Sequence, residues 1–514
     1  MSATSENNKR IAKNTIFLYI RMLIIMGVTL YTSRVVLAKL GIDDYGLYNV
    51  VGGVVGMLSF VNGTLSIGTS RFLTFELGKK DFSRLSQTFN TAFYTHLGLG
   101  LVLVLILETV GLWFVYNKLV IPTSRFHAAL IVYQVSIFTS LIDITQVPYT
   151  SLIMAHEKMG VYAYVSIFEA FGKLLVVFLL SIAPFDKLIA YSILLAMVQI
   201  AIAGYYRFYC VRHFRESSFQ LSYDKNILKQ LLGFSGWNIL ANLAETLKMQ
   251  GYLILLNIFF SSAIVAAQTI GNQVAGAMMQ FVNNFRTAIN PQIIKQYAAG
   301  DYESSKKLTL DTTIYVFDLV LLLGLPTIFT LNTIMNIWLV KVPPYAVLFT
   351  QYIIVQRILS TFDSAFYIPM LAAAKIKTNS IFASLSGPGM FLFLYFVYKL
   401  GGNVMWMQYI GVVVQCAFGF FIKPYLLGKD VIGYKKTDFF PCFLSCGKVA
   451  LLSLVISYLV YFLVGNKTLT SSAILFVMSF IGVAFASYVF LEKDVRNKLN
   501  RILLSKIHRF KESR

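Results

Sequence analysis

Apolar runs far longer than any globular core requires set the first constraint on this chain. Stretches such as Leu99–Leu107 and Ile474–Phe485 carry almost no polar side chains, and they lack the alternation that strands of a membrane barrel need. A backbone wrapped in such side chains has no water to satisfy its N–H and C=O groups, so it must satisfy them internally, as helices. The composition agrees: 57% of the 514 residues are hydrophobic and 13% charged, against roughly 25% charged in a soluble domain. The expected fold class is an all-α polytopic membrane protein. Transport becomes the leading class of function and catalysis recedes.

Segments of about 18 or more apolar residues can cross a bilayer. They fall near 14–38, 45–69, 87–116, 127–154, 159–183, 187–211, 231–258, 262–284, 308–338, 345–372, 378–398, 403–426, 439–464 and 469–491, which predicts fourteen transmembrane helices. The connections alternate in charge. With Lys187, Arg207 and Lys423 at span edges counted with the adjoining connections, 31 of the 44 Lys and Arg residues fall on the side of the N-terminus, seven on the opposite side and six within spans. Basic connections stay in the cytoplasm, so both termini are expected there. The net charge of +21 then reflects loops beside anionic headgroups, and no nucleic-acid partner is implied. Residues 493–514 read as a basic amphipathic cytoplasmic tail. Val495, Leu499, Ile502, Leu503, Ile507 and Phe510 keep helical spacing, with Lys498, Arg501, Lys506 and Arg509 between them; a solvated tail is the alternative. Four scattered cysteines and five histidines show no ligand spacing, so neither a metal nor another cofactor is expected.

The chain repeats itself. Met57-Leu58-Ser59-Phe60-Val61-Asn62 matches Met278-Met279-Gln280-Phe281-Val282-Asn283 at an offset of 221 residues, and Leu77-Gly78-Lys79-Lys80-Asp81-Phe82 resembles Ala298-Ala299-Gly300-Asp301-Tyr302 at nearly the same offset. That offset takes in six spans, an even number, so the halves share orientation about an axis along the membrane normal. The expected layout is two pseudo-symmetric six-helix lobes, 1–215 and 216–430, then two further spans in 431–492 and the tail. A substrate path between such lobes, open alternately to either side, is the expected mechanism.

Ionisable groups at membrane depth are costly unless paired or wet, so each is a candidate for function. Span 1 carries Arg21 and Arg34, about 220° apart around an ideal helix; Arg34 near the outer end suits a snorkelling residue, which leaves Arg21 for a cavity. Span 4 has Ser136, Thr139, Asp143 and Gln146 ahead of Pro148, and span 5 has Tyr162, Ser166, Glu169 and Lys173. Glu169 precedes Lys173 by four residues, the favourable direction for a helical ion pair; a self-neutralised pair and a transport role stand level. Span 7 gives Asn238, Asn242 and Glu245 on one face with Lys248 beside them, and Arg357 lies mid-span in span 10 with no acid within a turn. Asp363, Asp318, Glu108 and Lys448 read as packing or pairing residues, and Gly52/Gly53-x-x-Gly56 as a close helix contact. The candidates that open each lobe are mostly cationic, which favours an anionic head group over a cationic drug.

The stretch Arg34-Val-Val-Leu-Ala-Lys-Leu-Gly41-Ile-Asp-Asp-Tyr45-Gly46-Leu-Tyr48 resembles the "R…LG…YG.Y" opening of bacterial polysaccharide flippases. Asn290-Pro291-Gln292, with Tyr297, Gly300-Asp301 and Lys307-Leu308, is similar to their matching motif after span 8. These flippases belong to the multidrug/oligosaccharidyl-lipid/polysaccharide exporter superfamily. The resemblance implies a transporter of the bacterial cytoplasmic membrane that carries an oligosaccharide on undecaprenyl pyrophosphate to the periplasmic leaflet, for surface polysaccharides such as lipopolysaccharide O-antigen. It implies membrane lipids and a polysaccharide polymerase or other glycan-assembly protein as partners. On that footing Arg21, Lys173, Lys248 and Arg357 are expected at the pyrophosphate, and Gln146, Asn238 and Asn242 at sugar hydroxyls, with Glu245 lining the same site. Asp143, Glu169 and Glu245 are the acids that could couple an ion. A cation-coupled multidrug exporter of the same superfamily is the alternative. An enzyme is disfavoured, because Asp43-Asp44 lies in an outer connection too short to build an active site.

Overall fold

The structure is a computed structural model that describes residues 3–501 apart from 80, 157, 221–222, 467, 493–494 and 498–499; at 3–21, 64, 67, 159, 162–163, 232–241, 284, 287–288 and 291 it describes the backbone alone. The described residues form fourteen helical rods and no strand: α1 Ala3–Leu40, α2 Ile42–Gly78, α3 Phe82–Asn117, α4 Phe126–Ala155, α5 Met159–Ile182, α6 Lys187–His213, α7 225–259, α8 Ser262–Ala298, α9 Tyr302–Trp338, α10 Ala346–Ala372, α11 Lys377–Lys399, α12 Trp406–Asp430, α13 Phe440–Val464 and α14 Leu469–Phe490. Each apolar segment of the sequence falls on one rod, so the chain is an all-α polytopic membrane protein. Among the described residues 11 helices are long and apolar enough to cross a bilayer by themselves. Of the other three, α7 has side chains outside the described residues, and α8 and α10 fall short because Gln268, Asn272, Gln273 and Gln280, and Gln351, Gln356, Arg357 and Asp363, dilute their apolar surfaces. Several rods outrun their apolar segments: α2 continues to Gly78 and α8 to Ala298. Hydropathy marks the stretch in lipid, and a helix need not stop at the lipid's edge. Most of the expected tail, 502–514 included, lies outside the described residues.

Among the described residues three rods contain a wide π turn: α3 at Leu107–Gly111, α7 at Leu247–Gly251 and α12 at Ala417–Ile422. The turn in α3 has a visible partner. It releases the Leu107 carbonyl, and the Tyr133 hydroxyl of α4 donates to that oxygen at 2.7 Å. Gly111 leaves the space, since a Cβ there would lie 2.2 Å from the tyrosine oxygen.

The α1–α2 corner explains the first motif in physical terms. Gly41 turns the chain at φ +83°, a conformation that L side chains avoid. Tyr45 is buried, and a Cβ on Gly46 would sit 1.8 Å from the Ser262 carbonyl oxygen at the start of α8. Asp44 takes two hydrogen bonds from Arg125, at 2.8 and 2.6 Å. The same guanidinium donates to Asp186 at 2.5 and 3.1 Å, and Asp186 in turn caps α6 by accepting from the Leu188 and Ile189 amides. One arginine thus ties together the starts of α2, α4 and α6, and it holds the Asp186 carboxyl below its ordinary range. The second repeat match also has a shared task. Asp81 accepts from the Arg84 amide at 2.9 Å and Asp301 from the Ser304 amide at 3.2 Å, each capping the helix that follows.

By packing, the chain divides into two compact units. The first comprises Met1–Ile270, Leu339–Ala346 and Ser380–Met407, and holds α1–α7, the start of α8 and most of α11. It is filled around Leu73, Leu85, Phe89, Leu152, Ile153 and Tyr206. The second comprises Gly271–Trp338, Val347–Asn379 and Gln408–Arg514, and its core is rich in Phe317, Phe362, Phe366 and Phe439. This division gathers α7 and most of α11 with the first six helices, whereas the repeat places its boundary at 215.

Candidate functional site

Within the first unit, four helices enclose a polar cavity of ≈ 280 Å³. α4 contributes Ser136, Thr139 and Asp143, a stripe at helical spacing. The Ser136 hydroxyl donates to the Val132 carbonyl at 2.7 Å and Thr139 to the Ser136 carbonyl at 3.0 Å, so both are satisfied at membrane depth and offer lone pairs to the cavity. α5 contributes Glu169 and Lys173, with Nζ 2.6 Å from Oε1, the ion pair that their spacing predicts. α6 contributes Ser192 and Gln199, and the Gln199 amide donates to the Asp143 carboxylate. α2 contributes Tyr48, whose ring meets that of Tyr191 edge-on at 4.8 Å. Two carboxylates and one ammonium line this space. Lys173 answers Glu169, and among the described residues Asp143 is held by an amide and by no cation. The site could accept a cation or a proton at Asp143 and hydrogen-bond hydroxylated groups elsewhere on its wall.

The stripes of spans 4 and 5 thus converge in the structure. Gln146, one turn further along α4, lines no part of the cavity; it is buried, and among the described residues its Oε1 has no hydrogen-bond partner. The α7 candidates lie elsewhere in the same unit. Lys248 sits in the π turn, 4.0 Å from Glu245, and the Asn242 Oδ1 is 4.0 Å from where a Cβ on Gly63 of α2 would stand. The small-residue groove of α2 makes the close contact it suggests, because the Gln250 amide of α7 fills it at Gly53 and Gly56. The side chains of Arg21, Tyr162 and Asn238 lie outside the described residues. Arg357 belongs to the second unit, exposed on α10.

Sequence reasoning missed Tyr48, Ser192 and Gln199. Gln199 had a signal, as a lone amide in an apolar run; Tyr48 stood in the motif at the α1–α2 corner without being read as a site residue, and Ser192 had no signal beyond helical register. It also placed Lys423 with the connections. The structure buries Lys423 inside α12, 3% exposed, with Nζ 3.1 Å from Asp363. Nearby, Arg286 of α8 donates to the Ser364 hydroxyl and the Thr361 carbonyl. Asp363 is therefore the pairing residue it was expected to be.

Among solved structures, the chain resembles the lipid II flippase MurJ in an inward closed conformation, with a TM-score of 0.69 and 13% identity over 92% of this chain and 98% of that one. It also resembles an inward-facing multidrug resistance MATE family transporter of the MOP superfamily, at 0.60 and 13% over 83% and 98%. A further match is a MATE transporter in the straight conformation, at 0.53 and 14% over 80% and 96%. No family profile and no curated sequence matches. At such identities the likeness establishes the fold alone, one shared by a lipid flippase and multidrug transporters.

Proposed function

We propose that the chain is a flippase of the multidrug/oligosaccharidyl-lipid/polysaccharide exporter superfamily. It carries an oligosaccharide on undecaprenyl pyrophosphate from the cytoplasmic to the periplasmic leaflet by alternating access, for surface polysaccharide assembly. It works in the bacterial cytoplasmic membrane with both termini inside, and 1–215 and 216–430 are its repeated halves. It catalyses no covalent step. The observation that carries the reading is a hydroxyl- and amide-lined cavity at membrane depth, in a fold that matches a lipid flippase over 92% of the chain. Lys173, Lys248, Arg357 and Arg21 serve the pyrophosphate, and Asn238, Asn242 and Glu245 the glycan. With the cell interior negative, moving about two negative charges outward gains roughly 4–5 kcal/mol per 100 mV, so ion coupling is not required. Charge reversal at Lys173 together with Lys248 should abolish outer-leaflet display of the glycan in cells that depend on this chain; undiminished display at normal protein levels removes both from the route.

The cavity's two carboxylates against one ammonium favour a second reading, a cation-coupled multidrug exporter of the same fold with Asp143, Glu169 or Glu245 as the coupling acid. Loss of drug resistance on Asp143→Asn, with glycan display intact, selects it.

A further inference from the structure

Near the inner end of the first unit stands a guanidinium with neutral partners. Thr145 and Tyr149 of α4 are four residues apart and so share a face, and Arg207 of α6 reaches across to both. Its Nη2 donates to the Thr145 hydroxyl at 2.7 Å, and its guanidinium carbon lies 5.8 Å from the centre of the Tyr149 ring. Phe89 of α3 fixes that ring edge-on, with centroids 5.2 Å apart. Among the described residues the cation therefore meets a hydroxyl and a π face, and no carboxylate. The acids nearest in the chain, Asp143 before Thr145 and Glu216 after α6, are held by the Gln199 amide and the His156 ring. The Arg207 Nε is buried with no acceptor among the described residues, and a guanidinium has five N–H groups to place.

Depth decides what such a cation meets. α6 has 27 residues and is about 40 Å long at 1.5 Å per residue, while the hydrocarbon core is about 30 Å thick. Arg207 precedes His213, the last residue of the helix, by six positions, about 9 Å along the axis. It lies just inside the edge of the core, and the Thr145 bond holds its head there. The Tyr205 and Tyr209 rings of the same helix stack at 6.4 Å, as tyrosines do at an interface, and Tyr205 and Phe208 are exposed. A charge at this depth without a carboxylate is met by water or by headgroups drawn in to it. The Lys and Arg asymmetry assigns this end of α6 to the cytoplasmic leaflet, which carries the anionic lipids.

We propose that Arg207, with the Tyr149 hydroxyl, binds the phosphate of an anionic phospholipid of the inner leaflet. The phosphate oxygens take the remaining N–H groups of the fork, and the acyl chains run past Phe208. Neither Arg207 nor Tyr149 lines the cavity around Asp143, so this lipid is a fixture of the fold and no cargo.

The test uses the full chain in lipid-free micelles, titrated with phosphatidylglycerol and read by native mass spectrometry. Wild type should take up one phosphatidylglycerol about tenfold more tightly than phosphatidylcholine, and Arg207→Gln should lose about that factor, as expected for charge-assisted hydrogen bonds. Arg207→Lys should fall between, because an ammonium keeps the charge and loses the fork. Arg212→Gln removes an exposed cation from the same end of α6 and should match wild type. Phosphatidylglycerol should also raise the melting temperature of wild type and leave that of Arg207→Gln unmoved. Equal affinity in wild type and Arg207→Gln overturns the proposal, as do equal losses in Arg207→Gln and Arg212→Gln, which would make the attraction general to the surface. Where Arg207→Gln does not fold, wild-type affinity in both Arg207→Lys and Tyr149→Phe overturns it instead. Farnesyl pyrophosphate that binds Arg207 more tightly than phosphatidylglycerol does overturns it too, because the guanidinium would then belong to a carried lipid.

Discussion

Arg125 bridges three of the four helices that line the cavity, and its removal gives the sharpest test of how that cavity is held. Arg125→Ala deletes four charge-assisted hydrogen bonds and leaves Asp44 and Asp186 facing one another without a cation. Removing one partner of a fully buried pair costs about 3–5 kcal/mol, and an exposed pair is worth under about 1 kcal/mol. Here the side chains are 27%, 18% and 30% exposed, so water reaches part of the site. The expected loss is about 2–3 kcal/mol, on the order of a 30- to 150-fold shift in the unfolding equilibrium. Reversible unfolding in mixed micelles measures it. Glu303→Ala is the control, removing a carboxylate 80% exposed from a pair at 3.0 Å while Lys306 keeps Asp438 at 3.3 Å, and should cost under about 0.5 kcal/mol. The pH dependence carries a sign as well. A carboxyl held below its ordinary pKa of about 3.9 stabilises the fold fully above that pH, and the contribution is lost as pH falls through the folded value. Without the guanidinium both carboxyls rise, Asp44 from a value that burial already holds above its ordinary one, so the gap between wild type and Arg125→Ala should be widest at neutral pH and narrow as pH falls through the carboxylate range. A mutant as stable as wild type at neutral pH, or a gap that widens in acid, refutes the reasoning.

Gly46→Ala should destabilise the chain by about 3 kcal/mol or more, because the new methyl would press on the Ser262 carbonyl at 1.8 Å; near-normal melting would mean that the corner gives way easily. Gly111→Ala and Tyr133→Phe should each destabilise α3 against α4, the second by about 1–3 kcal/mol for the orphaned Leu107 carbonyl. The double mutant should cost less than their sum, and additive losses argue against the shared contact. Asp143→Asn keeps a partner for Gln199 and removes the charge, so it should melt normally and erase any dependence of transport on a proton or sodium gradient. A gradient dependence that survives excludes Asp143 as the coupling acid.

Most of the fold is legible in the sequence because the bilayer leaves a chain few choices. Apolar length fixes the rods, and their number follows without any knowledge of packing. What hydropathy could not locate are the helix ends beyond the lipid, as at Gly78 and Ala298, and the π turns, which depend on a partner such as Tyr133 on another helix. The site is legible in part for the same reason. Asp143, Glu169 and Lys173 announce themselves by polarity at helical spacing, and they converge. The spacing of one helix says nothing about which neighbour it faces, so the place of Tyr48 and Ser192 on the cavity wall stayed hidden and Gln146 was placed in company it does not keep. Lys423 was hidden by position, since a lysine near a span's end reads as a loop residue until its pairing with Asp363 is seen.

Reconstitution tests the account most directly. Proteoliposomes of the purified chain, given a fluorescent sugar on polyprenyl pyrophosphate in the inner leaflet, should expose that sugar to external periodate many times faster than protein-free vesicles, and should leave a cationic dye undisturbed. A chain that accumulates or expels the dye while the sugar stays on its original side contradicts the account.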